Sequence, residues 1–242
     1  MRHQRKILLI DADDTLWETN ALFERTIAAY VELLAPLGND PQTIRQEVDR
    51  DEHRNIQQRG YGTRSFLLTL EEVYLKLARR GGQARLGGQA GPRTEDKVLE
   101  EIRRLSRILL PVPHRVFDGV AATLAYLKPR HRLFLLTKGN AEEQSAKLAA
   151  SGLEGFFHGC EIVAEKDAST YNGLVERHGW SRPEVWMVGN SPRSDVNPAL
   201  AAGLNAVFIP SPVTWDYENE EIQPGGGRLL ELERFGDLQE HF

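Results

Sequence analysis

The sequence predicts an α/β protein with a doubly wound, mainly parallel sheet and a helical block inserted after the first strand. From about residue 117 to 209, short apolar runs alternate with helical patterns, as is typical of parallel strands covered by helices on both faces. Between residues 17 and 110, apolar residues instead recur at helical spacing and no segment resembles a strand. A chain of 242 residues has room for one elaborate domain or for a core with an insertion.

The first predicted strand, residues 6–10, runs directly into an acidic loop. The apolar residues Ile7 to Ile10 are followed by Asp11, Asp13 and Asp14. Because side chains alternate along an extended chain, Asp11 and Asp13 are expected on one side of it. Paired carboxylates at the end of a strand bind a hard cation or carry out nucleophilic and acid–base chemistry. An acidic surface turn is the alternative interpretation, since Asp is favoured in turns.

The helical block is predicted to contain helices at 21–34, 41–58, 64–79 and 95–110. Thr94 is the expected N-cap of the last one, and the Pro111-Val-Pro113 segment ends it. A run of five glycines between residues 81 and 92 predicts a flexible loop. The sequence therefore divides into an α/β core, residues 1–16 and 113–242, and a helical insertion, residues 17–112.

Four further strands are predicted at 133–136, 161–164, 185–188 and 206–209, and polar residues follow three of them. In parallel sheets, ligands bind outside the carboxyl ends of the strands. The polar residues expected to converge there with Asp11 and Asp13 are Thr137, Lys138, Gly139, Lys166, Asn190 and Asp195. Taken singly, Thr137 could cap the next helix, Lys166 could be a solvated charge, and Asn190 and Asp195 could cap the helix containing Ala199.

Composition and charge limit the choice of partners and compartment. A net charge of −5 gives no general attraction to nucleic acid or to anionic lipid. No apolar run approaches the length of a secretory signal or of a membrane span. Cys160, the single cysteine, excludes an internal disulfide, suits a reducing compartment and is expected to be a packed thiol. We therefore expect a cytoplasmic protein, monomeric or homodimeric, that binds neither nucleic acid nor membranes.

The ordered motifs resemble those of the haloacid dehalogenase (HAD) superfamily over residues 6 to about 209. The family's first motif, a strand followed by D-x-D-x-T/V-L, is similar to Asp11-Ala-Asp13-Asp14-Thr15-Leu16. Its second and third motifs, a Thr or Ser and a Lys at strand ends, are similar to Thr137 and Lys166. Its fourth motif, commonly G-D-x-x-x-x-D, is similar to the segment from Gly189 to Asp195. Each motif alone is weak, whereas the four in order are highly specific.

The resemblance implies an Mg²⁺-dependent phosphatase of small phosphorylated metabolites. Asp11 would be the nucleophile that forms an aspartyl-phosphate, and Asp13 would be the general acid and then the base. Thr137 would bind phosphoryl oxygens and Lys166 would stabilise charge. Mg²⁺ would be held by Asp11, by the backbone carbonyl of Asp13 and by Asp195 or Asn190.

The helical insertion would correspond to the family's mobile cap, joined to the core by residues 17–20 and 111–113. Its segment 59–64 mixes glycines, an aromatic residue and cations, so Tyr61 and Arg64 are candidates for substrate recognition. An exposed connection between two helices is the alternative interpretation of this segment.

The sequence departs from the family pattern at three positions. Asp14 stands where glycine is commonest, which predicts a third negative charge at the mouth of the site. Asn190 replaces the usual Asp, so it could ligate Mg²⁺ without contributing charge. Lys138 stands where many members have Asn and could contact phosphate together with Gly139.

Other functions stay open at this point. A dehalogenase keeps the nucleophile but generally lacks the second aspartate, which is present here as Asp13. A phosphomutase and a non-catalytic phosphate-binding relative are also compatible with the motifs. A two-component receiver domain fits less well, because it carries its phosphorylated Asp on a middle strand and has no inserted helices.

Overall fold

The computed structural model describes residues 5–80, 92–110 and 114–242, and of residues 92–94 the backbone alone. The chain forms two compact units, which we describe separately. One contains Met1–Asn20 and Val112–Phe242, and the other contains Ala21–Pro111. Trp17 is fully buried in the core of the first unit. The helical unit therefore begins four residues later than the predicted insertion.

The first unit is built on a six-stranded sheet in which every pair of neighbouring strands is parallel. The strand order is β3-β2-β1-β4-β5-β6, so β1 lies between β2 and β4. The strands are β1 (Ile7–Ile10), β2 (Arg132–Lys138), β3 (Gly159–Val163), β4 (Val185–Gly189), β5 (Asn205–Phe208) and β6 (Leu229–Glu231). This arrangement confirms the predicted doubly wound α/β fold.

Helices cover both faces of this sheet. Leu8 and Ile10 of β1 face one apolar core, whereas Ile7 and Leu9 face the other, as the alternation of strand side chains requires. The helices in chain order are α1 (Asn20–Leu34), α2 (Pro41–Arg59), α3 (Thr63–Arg80), α4 (Pro92–Arg104), α5 (Ser106–Leu109), α6 (Val120–Leu127), α7 (Ala141–Ser151), α8 (Ala168–His178) and α9 (Asn197–Ala201). Helices α6 and α7 contribute to the first core, and α8 and α9 contribute to the second. The central strands are consequently buried on both sides.

The helical unit has its own apolar core. The first three helices agree with the predicted ranges to within one residue at each end. The predicted helix at 95–110 is in fact two helices, α4 and α5, separated at Leu105. Tyr30 illustrates the packing of this core, since its ring is fully buried and its hydroxyl donates to the carbonyl of Leu70 at 2.7 Å. Helix α4 begins at Pro92, so Thr94 lies inside it and the prediction that Thr94 is its N-cap was wrong. Residues 81–91 of the predicted glycine-rich loop and residues 111–113 lie outside the described residues.

Two features of the first unit differ from the expectations. Cys160 lies on the edge strand β3 and is exposed, so the prediction of a packed thiol was wrong. The C-terminal segment adds the unpredicted strand β6, which pairs with β5. Among the described residues, no helix is long and apolar enough to cross a membrane.

The glycines that precede β6 allow a close approach of two backbones. A Cβ on Gly227 would lie 1.7 Å from the carbonyl oxygen of Leu204, and one on Gly225 would lie 2.6 Å from the backbone of Leu200. Neither distance is sterically possible. Glycine at these two positions therefore permits β6 to reach the edge of the sheet.

We expect the Gly227→Ala substitution to destabilise the first unit by about 1–3 kcal/mol, because the added methyl group forces the β6 segment away from Leu204. Urea denaturation followed by tryptophan fluorescence measures this loss. Gly236→Ala is the matched control, since a Cβ there meets no atom within 4 Å. Equal unfolding midpoints for the two variants would show that the contact at Gly227 is unimportant.

Candidate active site

Asp11 lies immediately after β1 and is paired with a buried lysine. Its backbone N–H donates to the carbonyl of Val188 at 2.9 Å, which continues the pairing of β1 with β4. The ammonium of Lys166, only 3% exposed, donates to Asp11 Oδ1 and, at 2.8 Å, to Asp195 Oδ1. Lys166 is therefore not the solvated charge that was the alternative interpretation.

The electrostatics of this trio follow from burial and from the single positive charge that two carboxylates share. Burial raises the pKa of Asp11 to about 7; Lys166 opposes this change and Asp195 adds to it. Burial by itself would lower the pKa of Lys166, but attraction to Asp11 and Asp195 raises it above its ordinary value. The lysine consequently stays charged, and its attraction to Asp11 opposes the cost of burying that carboxylate.

Thr15 connects Asp11 to Asn190. Its hydroxyl lies 3.0 Å from both Asp11 Oδ2 and Asn190 Oδ1. A hydroxyl has one proton, so it can satisfy only one of these two oxygens at a time. Asn190 is thereby placed next to Asp11, with an oxygen lone pair available for another positive or donor group.

Asp195 approaches the sheet closely because residue 189 is a glycine. A Cβ at Gly189 would lie 2.1 Å from Asp195 Oδ2. The segment Pro192–Val196 forms one π-type turn, and Asp195 Oδ2 accepts the backbone N–H of Ser191 at 3.0 Å. Asn190 and Asp195 thus belong to the loop after β4 and do not cap α9.

Asp13 is held by a set of donors separate from those of Asp11. Its oxygens accept the indole N–H of Trp17 at 2.8 Å, the Thr19 hydroxyl at 2.7 Å and the Gln144 amide at 2.8 Å. Lys147 contacts both oxygens, at 3.0 and 3.1 Å. Burial opposes the charge on Asp13, but Lys147 and these hydrogen bonds outweigh it and hold the pKa of Asp13 well below its usual range.

Asp14 has a structural task at the point where the chain leaves β1. Its backbone φ is +63°, a left-handed conformation that explains why glycine suits this position. Its buried carboxylate accepts the backbone N–H groups of Thr19 and Asn20 at 3.0–3.1 Å. The predicted location of this side chain at the mouth of the site was therefore wrong, because it is buried and binds the N-terminus of α1.

The end of β2 supplies the second group of predicted residues. Thr137 is buried at this strand end, and it is Asn140 that caps α7, accepting two backbone N–H groups at 3.0 Å. Gly139, with φ of +127°, turns the chain between strand and helix. Lys138 donates to Ser194 Oγ at 2.8 Å and to Glu218 Oε1 at 2.6 Å.

The structure places the remaining two predicted residues in the helical unit. Tyr61 lies between α2 and α3, and Arg64 is an exposed residue in the first turn of α3. Their proposed part in substrate recognition stays a prediction.

Four residues near the site did not emerge from the sequence in these roles: Thr15, Gln144, Lys147 and Glu218. The i, i+3 spacing of Gln144 and Lys147 places them on one face of the predicted helix and was the available signal. Thr15 lies within the first motif, where its hydroxyl gives no separate indication. Glu218 is one of several acidic residues in the C-terminal segment, and the sequence does not distinguish it from the others.

The donor set suits a hard cation. Asp11, Asp195 and Asn190 present carboxylate and amide oxygens within one network, and these are ligand types that Mg²⁺ accepts. Among the described residues, however, no three His, Cys, Asp or Glu side chains form a metal-binding group. The set supplies two carboxylates, so an amide or backbone carbonyl and water would complete the coordination.

A family model for haloacid dehalogenase-like hydrolases matches residues 5–203. A glyceraldehyde 3-phosphate phosphatase from Methanothermobacter thermautotrophicus is 25% identical over 134 residues, which cover 52% of this chain and 58% of that protein. The match thus spans little more than half the length of this relative.

Solved structures show the same fold. A haloacid dehalogenase-like family hydrolase from Xanthomonas campestris superimposes with a TM-score of 0.79 and 26% identity, covering 98% of this chain and 90% of that one. A HAD-hydrolase from Bacillus subtilis bound to magnesium has a TM-score of 0.60 and 17% identity, with 98% of each chain covered. An L-2-haloacid dehalogenase from Xanthobacter autotrophicus has a TM-score of 0.58 and 16% identity, again with 98% of each chain covered.

The position of Asp14 gives a stability prediction. Asp14→Ala should lower the unfolding free energy by about 2 kcal/mol, because it removes the acceptor for two backbone N–H groups and places a Cβ-bearing residue without local hydrogen bonds in a left-handed conformation. Asp14→Asn keeps both an acceptor oxygen and tolerance of that conformation, so it should cost less than half as much. Urea denaturation of both variants measures the difference, and equal losses would contradict the capping role.

Proposed function

This chain belongs to the haloacid dehalogenase-like hydrolases, and we propose that it is an Mg²⁺-dependent phosphatase of small phosphorylated metabolites. The observation that carries the proposal is the buried trio of Asp11, Lys166 and Asp195, with a second aspartate, Asp13, two residues after Asp11. The relative named as a glyceraldehyde 3-phosphate phosphatase supports a small phosphate monoester as the substrate class.

In the proposed reaction Asp11 acts as the nucleophile. One of its carboxylate oxygens attacks phosphorus, the bond from phosphorus to the ester oxygen breaks, and Asp13 supplies the proton that the departing alkoxide takes up. A water molecule then attacks the aspartyl-phosphate and gives its proton to Asp13, which releases inorganic phosphate and restores Asp11. No other reactant is required.

Charge and hydrogen bonds from neighbouring strand ends assist this exchange. Lys166 keeps its positive charge beside Asp11, where it would stabilise the negative charge shared between the nucleophile and the phosphoryl group. Thr137 is buried at the end of β2 and would donate its hydroxyl to a phosphoryl oxygen, with Lys138 and Gly139 beside it.

Mg²⁺ would be held by Asp11, Asp195, the backbone carbonyl of Asp13 and Asn190. When bound, it would neutralise negative charge on these carboxylates and on the phosphoryl group. The neutral Asn190 predicts weaker metal affinity than a site with one more carboxylate would have.

The helical unit would serve as the cap that selects the substrate, and Tyr61 and Arg64 would bind its leaving group. The single cysteine supports a role in the cytoplasm, and the net charge of −5 supports the absence of nucleic-acid and membrane partners. That the protein is a monomer or homodimer stays a prediction.

Replacement of the nucleophile tests the proposal. Asp11→Asn should reduce hydrolysis of p-nitrophenyl phosphate at least about a hundredfold, because an amide cannot form the acyl-phosphate, and roughly 2.7 kcal/mol of transition-state stabilisation is lost. Asp118→Asn is the matched control, since Asp118 is an exposed carboxylate of the same unit. Steady-state assays with excess Mg²⁺ and with a chelator measure both the rate and the metal requirement.

Each part of the proposal has its own contradicting outcome. Full activity of Asp11→Asn would exclude Asp11 as the nucleophile, and activity undiminished by exhaustive chelation would refute the Mg²⁺ requirement. The phosphatase assignment itself would be contradicted by release of halide from 2-chloropropionate by a wild-type protein that leaves phosphate esters intact. The last outcome would establish the dehalogenase alternative instead.

The proton donor is tested by comparing leaving groups. Asp13→Asn should lower kcat/KM for glycerol phosphate by about 10²- to 10⁴-fold, because an alkoxide needs a proton in order to leave. It should affect kcat/KM for p-nitrophenyl phosphate much less, since nitrophenolate leaves without one. An equal reduction for both substrates would remove Asp13 from the role of general acid.

A further inference from the structure

The C-terminal segment supplies a buried carboxylate that the proposed reaction does not use. Glu218 ends a short 3₁₀ turn, Asp216–Glu218, and is only 8% exposed. Its Oε2 accepts the hydroxyl groups of Ser191 and Ser194, each at 2.5 Å, and its Oε1 accepts the ammonium of Lys138 at 2.6 Å. A carboxylate so completely hydrogen-bonded is fixed in position.

Lys138 extends across the candidate site. It is the last residue of β2, whereas its partner Ser194 lies in the loop after β4. Because β1 lies between β2 and β4, the contact of Lys138 with Ser194 joins the strand ends on either side of Asp11. Lys166 reaches Asp11 and Asp195 from beyond β3 in the same way. Two ammonium groups therefore span the crevice.

Two carboxylates lie beside the Lys138 ammonium, and Glu218 is the closer, with its Oε1 at 2.6 Å and Glu165 Oε1 at 3.4 Å. A lysine side chain loses rotamer entropy when it is held in one position, so a fixed position requires strong partners. The side chain of Lys138 is 15% exposed and that of Glu218, taken without its backbone, is 10% exposed. Water therefore screens their attraction weakly. Burial opposes the charge on Glu218, but Lys138 and the serine hydroxyls outweigh it and lower its pKa.

We propose that Glu218 is a positioning residue, which holds the Lys138 ammonium over the nucleophile so that its charge stabilises the phosphoryl group during transfer. This inference rests on the proposed phosphatase function. A charge that is fixed before the reaction needs no reorganisation in the transition state, and this is the main source of electrostatic catalysis. The C-terminal segment is then a component of the active site.

The first test is a double-mutant cycle. Glu218→Gln should lower kcat for p-nitrophenyl phosphate about tenfold with less than a threefold change in KM, because the interaction improves chiefly in the transition state. Glu221→Gln, which removes an exposed carboxylate three residues further along, should leave both constants unchanged. If Glu218 acts through Lys138, the double variant Glu218→Gln with Lys138→Met should be no slower than Lys138→Met alone.

A second measurement does not depend on turnover. Acetic anhydride labelling followed by peptide mass spectrometry should modify Lys138 several-fold faster in Glu218→Gln than in the wild-type protein. Labelling of the exposed Lys128 should be equal in both proteins, and Glu221→Gln should behave as wild type. This readout reports the Lys138–Glu218 contact whether or not the protein hydrolyses phosphate esters.

The outcomes separate the two proposals. Equal labelling of Lys138 in wild type and Glu218→Gln, or a double variant slowed by the full product of the single effects, would overturn the positioning role. A wild-type protein without activity toward any phosphate ester would contradict the proposed function, and the labelling would then decide whether Glu218 holds Lys138. Thermal melting of each variant shows whether a loss of rate reflects unfolding; if Glu218→Gln does not fold, Lys138→Met and Lys138→Arg test the same contact from its other side.

Discussion

The buried ammonium of Lys166 is the interaction on which the candidate site depends. Asp11 and Asp195 lie far apart in the sequence, and two carboxylates buried side by side repel each other unless a cation lies between them. Lys166 supplies that cation at almost complete burial, with hydrogen bonds to both partners. Removing the lysine would leave two unpaired buried charges, a situation that costs several kcal/mol. The loops after β1, β3 and β4 are thus held together by the ammonium group of Lys166.

Most of the sheet could be predicted because each central strand is a short run of apolar residues. Strands β1, β2 and β4 are buried on both faces, so their sequences carry no polar alternation and stand out clearly. Strand β6 could not be predicted, since it has three residues and its pairing depends on the close approach of Gly227 to Leu204. Cys160 was misjudged because a sequence does not reveal that β3 is the edge of the sheet.

The site was predictable to the extent that it depends on strand ends. Parallel strands bring their carboxyl ends to one edge of the sheet, so residues that directly follow these strands in the sequence are expected to be neighbours. Lys166 contacts both Asp11 and Asp195, as this rule predicts. Side-chain partners that come from helices or from distant segments carry no comparable signal. The contact of Glu218 with Lys138 joins residues 80 positions apart. Asp14 has a positive φ and its carboxylate binds the backbone N–H groups of Thr19 and Asn20. The sequence indicated only that this residue carries a charge.

Asp13 shows that a motif identifies a residue type without determining the protonation state of its side chain. In the proposed reaction the same carboxyl group must first give a proton and later take one. The ammonium of Lys147 and the amide of Gln144 favour its ionised form, since both donate hydrogen bonds to it. This arrangement suits the second half-reaction, in which a carboxylate accepts a proton from water. The first half-reaction requires either weaker contact with Lys147 or an ester oxygen that needs little protonation. In the proposed reaction, Gln144 and Lys147 of α7 would therefore influence which leaving groups Asp13 can protonate.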